Sequence, residues 1–180
     1  MAGFTATCLT ASAALIGTTT YGGHWYGLYD GSVPWTTASA NATGVGGYLA
    51  VLTTTAENSA VYGGLIGNGF FQPHASQDTE AWIGGLTADG SGKTINPNNW
   101  KWVTGEAWTA FNAGNFAPGE PNGDSSGLAI NRFGDAKYND EGGHTGGWIV
   151  EKSVPDSGSS VLLLGVGLGL LGACRSKFLK

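Results

Sequence analysis

Two short segments of the chain carry carboxylates and side-chain amides at a suggestive spacing. The first is Asn115-Phe116-Ala117-Pro118-Gly119-Glu120-Pro121-Asn122, and Asn139-Asp140 begins seventeen residues after Asn122. Calcium takes about six to eight hard oxygen ligands, and flexible loops can supply them as carboxylates and amides. The 180 residues include thirteen acids and eight bases, a net charge of −5. Such a chain suits a cation better than the phosphates of nucleic acid.

Composition excludes several classes of protein. Thirty-two glycines without a three-residue period and only six prolines exclude collagen, and 41% hydrophobic residues provide a core that a disordered chain lacks. The two cysteines, Cys8 and Cys174, lie near opposite ends. The region between them therefore contains neither a disulfide framework, nor a thiolate zinc site, nor a cysteine nucleophile.

The elements that must position these segments are two helices followed by short aromatic strands. The residue pattern predicts helices over 35–45 and 55–66, because each follows a starting signal and precedes glycine. The expected strands span 24–29, 48–52, 81–85, 100–103, 128–131 and 148–151. Helices grouped before strands indicate an α+β fold rather than alternating parallel units.

Five motifs, taken in order, resemble the C-type lectin-like domain. They are Trp82-Ile83-Gly84, Trp100-Lys101-Trp102, Gly119-Glu120-Pro121-Asn122, Tyr138-Asn139-Asp140 and Trp148-Ile149-Val150-Glu151. With the opening strand and the two helices, the resemblance covers about 130 of the 180 residues. It implies an α+β C-type lectin-like fold over residues 20–152.

The resemblance also implies a ligand set. Glu120, Asn122, Asn139 and Asp140 would bind one calcium ion and, through it, the hydroxyls of a mannose- or glucose-type sugar in an extracellular polysaccharide or glycan. Asp124 would replace a further acid that the family usually has, and the bond before Pro121 would be cis. The disulfide cysteines of the family are absent, so the loops would depend on packing around residues such as Leu128.

Both ends of the chain resemble targeting segments. Residues 1–19 are similar to a signal peptide without its basic start, with Ala11-Ser12-Ala13 as an A-x-A site.

Residues 153–180 resemble a PEP-CTERM sorting tail of the VPDSG type. They contain Val154-Pro155-Asp156-Ser157-Gly158, an uncharged stretch over 157–174, and a basic end. Eighteen residues span about 27 Å as a helix, enough for a marginal transmembrane helix. The tail implies an exosortase-type membrane enzyme as a partner and a transient inner-membrane anchor. It also implies export to the cell envelope, the outer surface or the extracellular matrix.

The residues also leave other functions to consider besides calcium-dependent sugar binding. The main alternative is a calcium-independent structural or adhesive matrix protein that uses the fold as a scaffold. An enzyme is disfavoured, because His24, His74 and His144 lack metalloprotease or hydrolase motifs. Asp78-Thr79-Glu80 is expected in a solvated loop rather than as a glycosidase acid pair. Trp108 is the candidate for an exposed, sugar-stacking tryptophan.

Overall fold

One mixed sheet with three helices forms the fold, and the computed structural model describes residues 13–67 and 79–154 of it. The α+β class predicted from the sequence is confirmed. In chain order the elements are β1 (Ala14–Tyr21), β2 (His24–Val33), α1 (Trp35–Gly44), β3 (Tyr48–Leu49), α2 (Thr55–Leu65), β4 (Ala81–Thr87), β5 (Trp100–Trp102), α3 (Ala110–Gly114), β6 (Gly127–Ile130), β7 (Tyr138–Glu141) and β8 (Thr145–Ser153).

The sheet has the strand order β1-β2-β8-β4-β6-β7, with β3 added beside β8 and β5 beside β4. Strands β4 and β8 are parallel and place Trp82 opposite Trp148, whereas the other pairs are antiparallel. The last strand therefore lies at the centre of the sheet, between the first hairpin and the strands that lead to β7.

The core has two parts, one on each face of the sheet. Successive strand residues point to opposite faces, and Trp82 and Trp148 accordingly belong to one apolar cluster while Ile83 and Ile149 belong to the other. Helix α1 covers the first face with two small buried residues, and α2 covers the second with Val61 and other apolar side chains. Three layers result, with β4 and β8 buried on both sides.

The two long helices start where the sequence predicts. Helix α1 follows Pro34, which contributes no side-chain cap. Helix α2 follows Thr54, whose hydroxyl accepts a hydrogen bond from the backbone N–H of Glu57 at 3.2 Å. A threonine cap with an acid in the first turn stabilises a helix N-terminus.

The strands depart from the prediction at several places: β2 and β8 are longer than expected, β7 was not among the expected strands, and β3 and β1 differ as follows. Strand β3 ends at Leu49 rather than at residue 52, and the backbone N–H of Val51 donates to Oε2 of Glu151 at 2.8 Å instead of joining the ladder. Strand β1 includes residues 14–19, which the sequence analysis assigned to a signal peptide-like segment. It pairs with β2 through a turn at Gly22-Gly23, both with positive φ, so the sheet begins before the expected boundary at residue 20.

No helix within residues 13–67 and 79–154 combines the length and the hydropathy needed to cross a membrane. The predicted transmembrane stretch over 157–174 lies outside the described residues, as do residues 1–12, both cysteines, His74, Asp78 and all of the sorting motif except Val154.

Candidate functional site

The Glu-Pro-Asn loop, residues 115–124, runs beside the start of β7. Backbone hydrogen bonds of 2.9 Å join Tyr138 N–H to the carbonyl of Asn115 and Ala117 N–H to the carbonyl of Tyr138. Phe116 fixes this register, because its ring packs edge-on against Tyr138 at 5.9 Å and tilted against Trp100 at 5.6 Å. An aromatic cluster therefore positions the loop, as expected for a chain without the family's disulfides.

Asp140 closes the loop from the neighbouring strand. Its Oδ1 accepts a hydrogen bond from the N–H of Asn122, and its Oδ2 accepts one from Gly123, both at 2.9 Å. Gly123 has a φ of 86°, a conformation that glycine adopts at little cost. The carboxylate is buried, yet each oxygen keeps a lone pair for a further ligand.

Glu120 lies close to Asp140, and the bond between Glu120 and Pro121 is cis, as expected. Oε2 of Glu120 accepts from the N–H of Asn122 at 3.1 Å. Partial burial, followed by the adjacent Asp140 carboxyl, raises the pKa of Glu120, and Arg132 opposes that rise. Two neighbouring carboxyls form a site that a bound cation would stabilise.

Asn122 and Asp124 are at the exposed end of the loop. Asn122 Oδ1 accepts a hydrogen bond from the N–H of Asp124 at 3.0 Å, and the Asp124 side chain is exposed. The structure thus brings Glu120, Asn122 and Asp140 together and leaves Asp124 at the rim.

Asn139 is on the other side of β7 from Asp140, as strand alternation requires. Its Nδ2 donates to Oε1 of Glu80 at 2.9 Å and to Oε2 of Glu141 at 3.2 Å. Its Oδ1 is buried and has no hydrogen-bond partner. The amide predicted to share the ligand set with Asp140 is therefore engaged elsewhere, with one oxygen still available.

Three buried polar residues and an exposed arginine form a group here called the Glu80 cluster: Glu80, Asn139, Glu141 and Arg132. Arg132 Nη1 lies 3.0 Å from Oε2 of Glu141 and 3.9 Å from Oε2 of Glu80. Burial, more than the nearby Glu141 carboxyl, raises the pKa of Glu80 to about 8. The expectation that Glu80 lies in a solvated loop is wrong: its side chain is fully buried directly before β4. The position of Glu80 directly before the apolar strand β4 is the feature of the sequence that could have indicated its burial.

Trp108, expected to be exposed, is only partly so. Its ring is half-buried against Trp102 at 5.0 Å and Trp100 at 6.4 Å, and its Nε1 donates to the carbonyl of Pro97 at 2.8 Å. Of the histidines, His24 has Nδ1 2.6 Å from Oε1 of Glu151, at an angle unsuited to a hydrogen bond, and His144 is exposed.

The donors near Glu120 suit a hard cation. Glu120, Asn122 and Asp140 offer only oxygen atoms, which is the preference of calcium rather than of softer transition metals. Within residues 13–67 and 79–154, no three His, Cys, Asp or Glu side chains converge as a metal cluster. Any ion here therefore depends on the Asn122 amide and on ligands from solvent or substrate.

Comparison with solved structures defines the fold. The C-type carbohydrate-recognition domain of cow CD23, solved in the presence of a GlcNAc2Man3 oligosaccharide, superposes with a TM-score of 0.55 at 18% identity, over 76% of this chain and 93% of that one. The Ca2+-independent C-type lectin SPL-2 from Saxidomus purpuratus gives 0.57 at 20% identity, over 78% and 94%. The chain has a C-type lectin-like fold, which confirms the fold that the motifs predict.

Sequence comparison adds the tail and one relative. Residues 153–178 match the VPDSG-CTERM motif, so the predicted sorting motif is confirmed. A segment of 92 residues, 48% of this chain, is 35% identical to halomucin of Haloquadratum walsbyi (strain DSM 16790 / HBSQ001). The match covers only 1% of the length of halomucin.

Proposed function

We propose that this chain is an exported, calcium-dependent carbohydrate-binding protein whose site is formed by Glu120, Asn122 and Asp140. The observation that carries the proposal is the pairing of the Glu120 and Asp140 carboxyls beside the exposed Asn122 amide, in a loop that backbone bonds hold against β7. The fold supports a binding role rather than catalysis, since the similar solved domains include lectins such as SPL-2 and the carbohydrate-recognition domain of CD23.

Calcium would lie between the two carboxyls and favour the ionised form of Glu120, whose pKa burial and the adjacent Asp140 raise. Glu120, Asn122 and Asp140 would hold the ion, with Asp124 at the rim. Asn139 would contribute its unpartnered Oδ1 only if its amide left the Glu80 cluster. A bound calcium ion supplies coordination positions for ligand oxygens.

A sugar would complete the shell with two neighbouring hydroxyls. A hydroxyl can donate to a carboxylate such as Glu120 and accept from an amide such as Asn122 while its oxygen faces the ion. The order glutamate, proline, asparagine fixes which sugar hydroxyl donates to the carboxylate and which accepts from the amide. In the family that the motifs resemble, this order goes with mannose- or glucose-type sugars, and it supports such a ligand here.

Thermal unfolding tests the ion site. Excess calcium should stabilise the folded chain by mass action, by about 2.7 kcal/mol at a hundredfold excess over the dissociation constant. Glu120→Gln should remove most of this shift, and Glu106→Gln, which changes an exposed acid outside the loop, should keep it. A melting temperature that does not respond to millimolar calcium at pH 7 would contradict the proposal.

A calcium-independent binding or adhesive role is the second candidate. Arg132 already supplies a cation to the buried acids, and Asn139 is engaged there rather than at the loop. SPL-2 has a similar fold and is calcium-independent. On this reading the melting temperature and glycan binding would both be unchanged by calcium chelation.

The tail supports export and processing. The VPDSG-CTERM match supports a location in the cell envelope or beyond, with an exosortase-type enzyme as the processing partner. The mature protein would then lack the residues after about Ser157. Mass spectrometry of the protein from its native host tests this, and an intact Lys180 in the mature pool would refute processing.

A further inference from the structure

A pocket of about 170 Å³ opens on the side of the Glu-Pro-Asn loop that faces helix α1. Its walls are the start of α1 (residues 34–36), residues 125–127 and the turn at residues 141–143, with Trp82 as a further wall; we call it the α1 pocket. We propose that the α1 pocket is a second subsite that binds a neutral sugar ring of the same oligosaccharide. This inference rests on the proposed carbohydrate binding, but the subsite itself needs no metal.

The Trp35 ring provides the accessible apolar part of the α1 pocket, whereas Trp82, which is only 1% exposed, forms a wall with almost no accessible surface. Trp35 Nε1 donates to the carbonyl of Ile83 at 2.9 Å, and Trp82 Nε1 donates to the carbonyl of Val33 at 2.7 Å. Trp35 packs so closely on Gly127 that a side chain there would come within 2.9 Å of the ring. Rings held in this way lose little conformational entropy on contact with the apolar face of a sugar.

The polar groups of the α1 pocket include both acceptors and donors. The buried Glu141 carboxylate already accepts four hydrogen bonds, at Oε1 from Gly142 and Gly143 N–H and at Oε2 from Arg132 and Asn139. The Thr36 and Ser126 hydroxyls that line the pocket can accept as well as donate. Ser125 Oγ accepts from Gly127 N–H at 3.2 Å, which leaves its hydroxyl proton to donate. Pro34 gives α1 no side-chain cap, so first-turn N–H groups are open to a ligand oxygen. Hydroxyls, which both donate and accept, match this combination.

Charge favours a neutral ligand. Glu141 is the one charged residue that lines the α1 pocket in the described structure. Arg132, which does not line the pocket, neutralises it through an ion pair of 3.0 Å between Nη1 and Oε2 of Glu141. An anionic sugar would meet this carboxylate with no lining base to pair with, and a cation would compete with Arg132. A neutral hydroxylated ring avoids both costs.

Size and position connect the α1 pocket to the Glu-Pro-Asn loop. A cavity of about 150 Å³ accommodates benzene, so a pocket of 170 Å³ that opens to solvent admits one side of a sugar ring, with the rest of the ring outside. Ser125 is three residues after Asn122, and their Cα atoms are therefore at most about 11 Å apart. Gly142 packs against the carbonyl of Asp124, with 3.3 Å left for an added Cβ. One short oligosaccharide can thus occupy both places.

The test compares methyl α-mannoside with mannotetraose by calorimetry in millimolar calcium. The tetraose should bind the parent about tenfold tighter, from one added aromatic contact and its hydrogen bonds. Ser126→Phe and Thr36→Phe block the α1 pocket from opposite walls and should each remove this gain. The control is Ser59→Phe, an equal change on the exposed face of α2, which should keep it. Unchanged binding of methyl α-mannoside in all variants shows that they are folded.

The outcomes separate this inference from the proposed function. Equal affinity of the parent for both sugars, or a tetraose gain that survives in both blocking variants, would overturn the subsite and leave the calcium site intact. Tetraose binding that persists in EDTA but is lost in Ser126→Phe would support the subsite and refute calcium dependence. Failure of both sugars to bind in calcium would overturn both.

Discussion

Oδ1 of Asp140 accepts the backbone N–H of Asn122 at 2.9 Å, across eighteen residues of chain. The second carboxylate oxygen accepts the next N–H, that of Gly123, at the same distance. The side chain that would hold the proposed ion therefore also holds the Glu-Pro-Asn loop in place. If an ion binds here, loop geometry and ion binding would be coupled through one buried carboxylate.

Asp140→Asn should lower the free energy of unfolding by roughly 1–3 kcal/mol in EDTA, because asparagine keeps one acceptor and presents an NH2 group to the second N–H. Urea unfolding measures the loss. Asp124→Asn is the control, and its effect should stay within about 0.5 kcal/mol because the side chain is exposed. Equal effects of the two changes would show that Asp140 does not hold the loop.

Asn139→Asp should be more damaging, since it replaces the amide that donates to Glu80 and Glu141 by a third buried carboxylate. We expect a loss of roughly 3–5 kcal/mol by urea unfolding in EDTA. Adding Glu80→Gln should recover part of it, because the glutamine amide can donate to the new carboxylate at position 139. The same change at the exposed Asn98 should have little effect. A loss of unfolding free energy in Asn139→Asp as small as in the Asn98 control would mean that Asn139 does not make its contacts with Glu80 and Glu141 in solution.

The pH dependence of stability should reflect Glu151, which is buried at the junction of β2, β3 and β8. Burial raises the pKa of Glu151, with a smaller contribution from Glu57. Tyr48, His24 and the N–H of Val51 face its carboxylate and oppose the rise. The native state thus keeps a proton on Glu151 at pH values where the unfolded chain has released it.

The sign of the effect follows from linkage. The stabilisation from Glu151 is full below its ordinary carboxyl pKa of 4.5 and is lost as the pH rises through the raised native pKa. The parent should therefore lose stability relative to Glu151→Gln between pH 4.5 and 7, with a slope of at most about 1.4 kcal/mol per pH unit. Chemical unfolding across this range measures it. A difference that stays constant with pH would contradict the protonated, buried Glu151.

The loop and strand of the candidate site could be predicted because their residue types act locally. Proline, glycine and the carboxylates around Glu120 determine the loop, and the motif Tyr138-Asn139-Asp140, recognised in the sequence, forms most of a short strand in the structure. The orientation of Asn139 could not be predicted from spacing. It depends on strand alternation and on Glu80, a partner 59 residues away.

The fold shows the same division between local and distant causes. Local signals specify the two long helices, Pro34 and the following glycines for α1 and the Thr54 cap for α2. Strand β1, in contrast, has little apolar alternation and is held by pairing with β2. The Gly22-Gly23 turn is a hairpin signal, but the small apolar residues before it also suit a signal peptide. Only the sheet, completed by β8 from the far end of the domain, distinguishes the two.

Calorimetric titration of the parent chain with methyl α-mannoside, in calcium and then in EDTA, tests the calcium-dependent sugar site most directly. Binding heat in millimolar calcium that disappears in EDTA, and that the Glu120→Gln, Asn122→Asp double variant fails to give, is the result this account expects. The double variant exchanges donor and acceptor with little change in size. Equal heat with and without calcium, or an unchanged affinity in the double variant, would contradict it.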